Sequence, residues 1–393
     1  MFQRILSFEK TIYRKSLFLL GPRQSGKSTF LHMNYPDAFT INLLKPKEFL
    51  RHKSRPGQFG EEIEFQILNH GKKIFVLDEI QKLPELLDEI HHLLEEHKDV
   101  RFILTGSSAR KLRKSGVNLL GGRASQVYFH PIVSAEYGFE AYERDFLKNL
   151  TFGFLPSILT SKSPWADLED YVALYLKEEI QQEAIVRALD GFTRFLNTVA
   201  TTNAQLLNFA AIASDAQVPP RTVREYYRVL EDTLIGYLLP AYEKTTKRKA
   251  ISTAKFYLFD PGVTNFLLGR KSISAKTPEF GTLLEQAIFC EIKAYLDYTQ
   301  RADSLFFWRS TSQFEVDFLV RDQSNHWIAI EVKASSSPSL RDYRGILALQ
   351  EDLKLKKKIV VCMVPVPRLT AEKVQLLPVR LFLELMWSGQ LLG

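Results

Sequence analysis

The stretch Gly21-Pro-Arg-Gln-Ser-Gly-Lys-Ser28 decides the fold of the first part of this chain. It fits the pattern G-x-x-x-x-G-K-[ST], follows an apolar run at residues 17–20 and opens a segment with helical spacing at residues 27–32. Its glycines let backbone N–H groups wrap a phosphate, and the helix N-terminus adds partial positive charge. The stretch therefore predicts a phosphate-binding loop that consists of Gly21, Pro22, Arg23, Gln24, Ser25, Gly26, Lys27, Ser28 and Thr29.

An acidic motif further along the chain supplies a partner for this loop. The apolar residues Ile74-Phe-Val-Leu predict a buried strand that delivers Asp78 and Glu79 at its carboxyl end, where parallel sheets bind ligands. We expect Lys27 to reach the β- and γ-phosphates of ATP, and Ser28 and Asp78 to hold Mg²⁺. Glu79 is then positioned to polarise the attacking water.

Two more positions complete the predicted catalytic set. The apolar run at residues 102–104 ends in Thr105, whose hydroxyl can sense the γ-phosphate through a hydrogen bond. Arg123 follows two glycines and is a candidate arginine finger that acts on the nucleotide of a neighbouring subunit, with Arg110 and Arg113 as competing candidates. The predicted catalytic residues are thus Glu79, Lys27, Thr105 and Arg123, in a homo-oligomer such as a hexamer.

Short apolar runs alternate with amphipathic stretches through the first third of the chain. This alternation predicts strand, helix, strand, and therefore a parallel α/β sheet. The predicted strands lie at residues 17–20, 38–43, 74–77, 102–104 and 126–129. The predicted helices lie at residues 27–32, 59–69 and 86–96.

The segments GPRQSGKST, VLDEIQKLP, LTGSSARKL and LLGGRA together resemble the large prokaryotic family of AAA-type P-loop ATPases that carry a C-terminal domain of unknown function. The resemblance covers nearly the whole chain. It implies a P-loop sheet of the ASCE/AAA type, with an extra strand between the strands of the Walker A and Walker B motifs. It also assigns Lys27, Asp78, Glu79, Thr105 and Arg123 the roles given above.

Composition bounds the class of protein. A chain of 393 residues with 45% hydrophobic and 25% charged residues is long enough for two or three folded domains. The net charge of +7 modestly favours a polyanionic partner such as nucleic acid. Two cysteines exclude a disulfide framework, and no apolar run has the length of a membrane span, so a cytoplasmic protein is expected.

The middle of the chain has the spacing of a winged helix-turn-helix. Residues 168–189 predict a polar helical connector, followed by helices at 204–213 and 219–231 and by strands at 235–241 and 255–259 that flank a basic segment. The second helix would be the recognition helix and the basic segment the wing. The candidate DNA contacts are Arg221, Arg224, Arg228, Lys247, Arg248 and Lys249.

The last part of the chain predicts a second α/β domain that contains a set of acids. If the strands at residues 314–320 and 327–332 form a hairpin, Asp317 lies beside Glu331, and Lys333 shares a face with Glu331. Two carboxylates can hold a Mg²⁺ or Mn²⁺ ion while the lysine offsets charge on a phosphate. The arrangement resembles the PD-(D/E)xK nuclease fold, which is restriction-endonuclease-like and includes archaeal Holliday-junction resolvases, with Glu285 as an accessory helix acid.

These patterns predict four regions and leave three functions open. The regions are an ATPase domain at residues 1–150, a helical connector at 151–195, a winged helix at 196–270 and a nuclease-like domain at 271–393. The first function is an oligomeric ATPase that acts on DNA, including branched junctions. The second is a nucleotide-dependent switch for a protein partner with an inactive nuclease-like platform. The third is a metal-dependent nuclease gated by ATP.

Overall fold

The computed structural model describes residues 2–108, 122–176, 189–301, 305–322 and 324–392. The chain divides into two compact units. The N-terminal unit comprises residues 4–131 with 232–234, and the C-terminal unit comprises residues 1–3, 132–231 and 235–393. Within the described residues, no helix is both long and apolar enough to cross a membrane.

A five-stranded sheet forms the centre of the N-terminal unit. Its strands are β1 (Ser16–Leu20), β2 (Phe39–Asn42), β3 (Ile74–Asp78), β4 (Arg101–Gly106) and β5 (Ala124–Tyr128). All neighbouring pairs are parallel, in the order β2-β3-β4-β1-β5, so β4 lies between β1 and β3. Side chains of β1 are buried along the whole strand, as expected for a parallel strand covered on both faces.

Helices connect these strands. They are α1 (Glu9–Ile12), α2 (Lys27–Asn34), α3 (Pro46–Ser54), α4 (Gly57–His70) and α5 (Leu86–Glu96), with a 3₁₀ turn at Ile80–Lys82. The apolar pattern predicted α2, α4 and α5 but not α3. Only His52 of α3 is buried, and its two large apolar residues, Phe49 and Leu50, are adjacent in sequence, so they do not recur at the spacing of a helix.

The C-terminal unit begins with short helices and continues with a helical cluster beside a hairpin. The helices are α6 (Ser134–Tyr137), α7 (Phe139–Arg144), α8 (Phe146–Phe152), α9 (Pro156–Leu159), α10 (Pro164–Asp170), α11 (Leu189–Thr201), α12 (Phe209–Ala216), α13 (Pro220–Asp232) and α14 (Pro261–Leu267), with a π-helical segment at Tyr171–Leu176. Strands β6 (Gly236–Leu239) and β7 (Lys255–Leu258) form an antiparallel pair. Part of the predicted connector, residues 177–188, lies outside the described residues.

The helix predicted at residues 204–213 is displaced along the chain, because it begins only at Phe209. The Asn208 side chain caps α12 by accepting a hydrogen bond from the Ala211 N–H. Upstream of this cap, the backbone N–H groups of Ala204 and Leu207 donate to carbonyl oxygens of Phe256 and Ala254. This segment therefore runs beside β7 instead of coiling.

A six-stranded mixed sheet completes the C-terminal unit. Its strands are β8 (Leu305–Arg309), β9 (Glu315–Arg321), β10 (Trp327–Lys333), β11 (Leu355–Cys362), β12 (Arg368–Leu369) and β13 (Gln375–Pro378), and the order is β12-β13-β11-β10-β9-β8. The associated helices are α15 (Pro278–Tyr298), α16 (Leu340–Leu349) and α17 (Val379–Trp387). The strands β12 and β13 and the helix α17 were not predicted.

The two faces of this sheet pack against different helices. Phe318 and Ile330 belong to the same core cluster as α15, whereas their neighbours Leu319 and Ala329 belong to the cluster of α16. This alternation follows from the period of two in a strand. Strands β9 and β10 are antiparallel, with Phe318 opposite Ile330. The hairpin assumed for the C-terminal acids is therefore present.

A buried carboxylate fastens the start of α6 to α15 and α17. Glu291 of α15 accepts hydrogen bonds from the N–H and hydroxyl of Ser134, at 2.7 and 2.9 Å, and from the indole N–H of Trp387 at 2.7 Å. Burial raises the pKa of Glu291 to about 7, although these donors oppose the rise. Glu291 therefore binds its proton more tightly in the folded protein than in the unfolded chain.

This raised pKa makes stability depend on pH. Because the folded state binds the extra proton, the free energy of unfolding is expected to fall as pH rises from about 4.5 through 7, by an amount on the order of 3 kcal/mol. Glu291→Gln should flatten this dependence in urea unfolding followed by tryptophan fluorescence. Glu384→Gln, which alters a partly exposed acid of α17, serves as control. An unchanged slope in Glu291→Gln would contradict the assignment.

Candidate nucleotide site

The carboxyl ends of the parallel strands meet at one edge of the N-terminal sheet. The phosphate-binding loop leaves the end of β1, Asp78 ends β3, and Thr105 stands near the end of β4. Asn42 ends β2 and pairs with Asp78 in the sheet register. The sheet therefore brings four chain segments, distant in sequence, to one place.

The two glycines of the loop are required by geometry. Gly26 has φ of 96° and is the N-cap of α2, a backbone conformation that favours glycine. At Gly21, a Cβ atom would overlap the carbonyl oxygen of Phe129. Lys27 is buried, and its ammonium donates hydrogen bonds to the Gly21 and Pro22 carbonyls at 2.8 and 3.0 Å.

Asp78 is the centre of the polar network at this edge. Its Oδ2 accepts hydrogen bonds from the Ser28 hydroxyl at 2.8 Å and from the Asn42 amide at 3.1 Å. Its Oδ1 accepts a short hydrogen bond from the Thr105 hydroxyl. A serine hydroxyl and a carboxylate in contact are hard oxygen donors, and together they fit a Mg²⁺ ion.

Glu79 is held in an unusual backbone conformation. Its φ of 64° lies in the left-handed region, which is uncommon for residues other than glycine. Its N–H donates to the Thr105 hydroxyl at 3.0 Å, and its carboxylate accepts from the Gln81 amide at 2.6 Å. The same amide donates to the Ser107 hydroxyl at 3.0 Å. The strained residue is thus fixed from both sides.

Arg123 lies at the opposite edge of the sheet. It precedes β5, whose first residue Ala124 pairs with Ser16, whereas Tyr128 pairs with Leu20 beside the loop. The two ends of β5, Ala124 and Tyr128, are four residues and therefore about 13 Å apart. The guanidinium is 39% exposed and donates to Glu95 Oε1 at 2.9 Å. The structure therefore does not bring Arg123 to the phosphate-binding loop of its own chain.

The predicted DNA contacts fall into two groups. Arg221, Arg224 and Arg228 are exposed on one side of α13, at helical spacing of three and four residues. Arg228 pairs with Glu225 of the same helix. In the predicted wing, Lys247 and Lys249 are exposed.

The predicted wing is attached to the six-stranded sheet domain. Asp352 accepts hydrogen bonds from the backbone N–H groups of Thr246, Lys247 and Arg248. The Arg248 guanidinium pairs with Glu351 at 3.0 Å, so this side chain faces the protein rather than solvent. The predicted DNA contact at Arg248 thus falls on a side chain that already has an acidic partner.

The four C-terminal residues predicted to form a nuclease site come together. The Asp317 N–H donates to Glu331 Oε2 at 3.3 Å, and the Val332 N–H donates to Asp317 Oδ2 at 2.9 Å. Lys333 donates to Glu331 Oε1 at 2.6 Å. Glu285 reaches the same cluster from α15 through a fifth residue, Lys255 of β7, which the sequence did not point to.

Comparison with known proteins agrees with the geometry of the first site. Residues 13–138 match the family model described as AAA domain. The N-terminal unit contains an AAA-type P-loop ATPase domain. Residues 143–274 and 280–382 match two models described as domains of unknown function, DUF8612 and DUF4143.

Two further likenesses span more of the chain. A protein of Haemophilus influenzae described as uncharacterized is 23% identical over 378 residues, which cover 90% of each chain. A crystal structure of a signal transduction ATPase with numerous domains, which carries a tetratricopeptide repeat sensor and comes from Pyrococcus horikoshii, is 12% identical with a TM-score of 0.23. It aligns with 77% of this chain and 49% of its own, so this chain spans about half of its length, and the low score supports no conclusion.

Sequence reasoning missed Asn42 and Gln81 in the AAA domain. Asn42 had a usable signal, because a polar residue at the carboxyl end of a predicted parallel strand belongs to the ligand edge. Gln81 had none. It follows the acidic pair in a 3₁₀ turn, and only the fold brings its amide between Glu79 and Ser107.

Asn42→Ala is expected to weaken Mg²⁺-dependent nucleotide binding by the AAA domain. The substitution removes the amide that orients Asp78 Oδ2, and loss of such a supporting partner costs roughly tenfold in metal affinity. Titration of Mg²⁺ in the presence of a fluorescent ATP analogue measures the change. Asn69→Ala, at the exposed end of α4, is the matched control. Equal Mg²⁺ affinity in both variants would show that Asn42 has no positioning role.

Proposed function

We propose that this protein is an oligomeric ATPase that acts on DNA, with each active site completed by Arg123 of a neighbouring subunit. One observation carries the proposal. Ser28, Asp78, Glu79 and Thr105 converge at one edge of the AAA sheet, while Arg123 lies at the other. A residue displaced in this way can complete the same type of pocket only in another copy of the chain.

The residues at the ligand edge divide the work of hydrolysis. Lys27 and the N–H groups at the start of α2 bind the phosphates, and Ser28 and Asp78 hold the metal ion. Bound Mg²⁺ supplies neutralising charge on the β- and γ-phosphates. Glu79 accepts the proton of the attacking water, and Gln81 holds its carboxylate in place until then.

Arg123 suits a role between subunits because it is partly exposed and held in a defined direction. Glu95 and His91 of α5 contact its guanidinium, at 2.9 Å for Glu95 Oε1 and 3.1 Å for His91 Nε2. An arginine that approaches the γ-phosphate from a neighbour stabilises charge in the transition state, an effect of about 10³- to 10⁵-fold in related chemistry.

Lys27→Ala is expected to abolish nucleotide binding and turnover, whereas Arg123→Ala should bind ATP normally and lose at least about 100-fold in kcat. In a mixture of the two variants, some pockets combine the intact loop of an Arg123→Ala subunit with the intact Arg123 of a Lys27→Ala subunit. Mixing should therefore restore part of the turnover. The measurement is ATP hydrolysis across mixing ratios, with nucleotide binding followed separately. Arg55→Ala, at another exposed arginine of the N-terminal unit, is the control. Normal turnover by Arg123→Ala alone would refute the shared site.

The proposed DNA contact rests on charge and shape in the C-terminal unit. Arg221, Arg224 and Arg228 project from one exposed side of α13, which follows α12 and precedes the β6–β7 hairpin. Guanidinium groups in such a row can pair with backbone phosphates and give affinity that does not depend on base sequence. Lys247 and Lys249 of the hairpin add exposed positive charge.

Replacing Arg221, Arg224 and Arg228 together by alanine is expected to weaken DNA binding and to reduce the slope of log K against log salt by about three, one for each lost phosphate contact. Binding to duplex, single-stranded and four-way-junction DNA should be measured by fluorescence anisotropy over a range of salt. The control replaces the exposed Lys148, Lys162 and Lys276 and removes the same charge elsewhere. Equal slopes for both triple variants would contradict a contact through α13.

A protein-binding switch is the second candidate, and one observation favours it. Phe65 and Leu68 of α4 are 54% and 76% exposed and lie one turn apart, which gives the AAA domain an apolar surface suited to a protein contact. If no DNA binds even at low salt and the nucleotide changes the oligomer size, this candidate replaces the DNA proposal and leaves the ATPase proposal intact.

A further inference from the structure

Lys255 lies at the point where the C-terminal carboxylates converge. Its ammonium is 3.0 Å from Glu285 Oε1, 2.6 Å from Glu315 Oε1 and 3.6 Å from Asp317 Oδ1. The side chain is 4% exposed, and the ring of Phe307 lies 5.6 Å from the ammonium. Three oxygens, one from α15 and two from β9, thus surround one buried cation.

Most oxygens of this cluster have further donors in the protein. Glu285 Oε1 accepts from the Tyr257 hydroxyl at 2.6 Å, and Tyr257 and Lys255 are two residues apart on β7 and therefore share a face. Asp317 Oδ2 and Glu331 Oε2 accept from backbone N–H groups, and Glu331 Oε1 accepts from Lys333. Hard divalent cations require several such oxygens directly, at 2.0 to 2.6 Å.

The charge balance of the cluster favours a protein cation. Burial lowers the pKa of Lys255, but the facing carboxylates of Glu285, Asp317 and Glu315 outweigh it and hold that pKa well above its usual value. Burial raises the pKa of Glu285, and Lys255 opposes this rise. A positively charged Lys255 and a divalent ion cannot share the same three oxygens, because like charges at such distances repel strongly.

We propose that Lys255 is a built-in cation that occupies the place of a divalent metal ion at the cluster of Glu285, Glu315 and Asp317. The cluster then serves to fasten β7 to α15 and β9 rather than to cleave phosphodiester bonds. Lys255 belongs to the segment that matches DUF8612, and the three acids belong to the segment that matches DUF4143. The ion cluster is thus a joint between these two parts of the C-terminal unit, independent of the ATPase activity.

Metal binding by the full-length protein tests the proposal. In a Ser28→Ala background that weakens the nucleotide-site metal, Mn²⁺ binding is measured by electron paramagnetic resonance without nucleotide. The parent and its Asp317→Asn derivative should bind Mn²⁺ equally, because Asp317 faces Lys255 and not a metal. Lys255→Ala should gain one Mn²⁺ site that binds at least about tenfold more tightly than any site of the parent, since the substitution leaves the carboxylates without a compensating cation. Lys255→Ala with Asp317→Asn should lose that site again.

The melting temperature gives a second test of the proposal, which can be used even if Lys255→Ala folds poorly. Lys255→Met keeps the length of the side chain, lowers the melting temperature through the unpaired buried acids, and should recover part of it on addition of Mn²⁺. Lys255→Arg, which retains the charge, should gain no Mn²⁺ site. A metal site in the parent that Asp317→Asn removes, or Mn²⁺-dependent DNA cleavage by the parent that Lys333→Ala abolishes, would overturn the proposal.

Discussion

The parallel arrangement of the N-terminal strands is the constraint on which the nucleotide site depends. Five parallel strands have all of their carboxyl ends at one edge, so the residues that follow the strands lie close together. Asp78 then joins three of these segments through Ser28, Asn42 and Thr105. A carboxylate with this many donors is oriented before any ligand binds, which lowers the cost of ordering the site.

The nucleotide site and the Lys255 cluster differ in the partners of their buried acids. In the AAA domain, the acids at the ligand edge contact small polar groups, a hydroxyl or an amide, that exchange readily for a metal ion or water. In the C-terminal unit, Lys255 and Lys333 contact the carboxylates directly. Removing one partner of a buried ion pair is costly, whereas breaking a hydrogen bond between a carboxylate and a neutral donor costs less. The first arrangement suits a site that must change during a reaction cycle, and the second suits a permanent connection.

The sequence located the strands of the AAA sheet because parallel buried strands are continuous apolar runs. The run at residues 17–20, for example, became β1 (Ser16–Leu20), with only one residue added. Local pattern was less informative where tertiary contacts decide the structure. Helix α3 has almost no buried side, and α12 begins late because the preceding residues pair with β7.

Site residues, like the strands and helices, were predictable where the local sequence determines them. The motif around Lys27 and the acids Asp78 and Glu79 follow from spacing along the chain. The shared face of Glu331 and Lys333 follows from the period of two in a strand, whereas the place of Asp317 beside Glu331 required the assumption of a hairpin. Lys255 could not be found in this way, because its partners lie on α15 and β9 and nothing in its own strand indicates them. Contacts between distant segments are decided by packing rather than by local sequence.

The close approach of Gly21 to Phe129 has a mechanical consequence. Phe129 directly follows β5, and Arg123 directly precedes it, so one short strand has the phosphate-binding loop at one end and the Arg123 guanidinium at the other. With no room for a side chain at Gly21, a movement of the loop displaces the end of β5. The strand thus connects the position of the phosphate-binding loop with that of Arg123 within one chain.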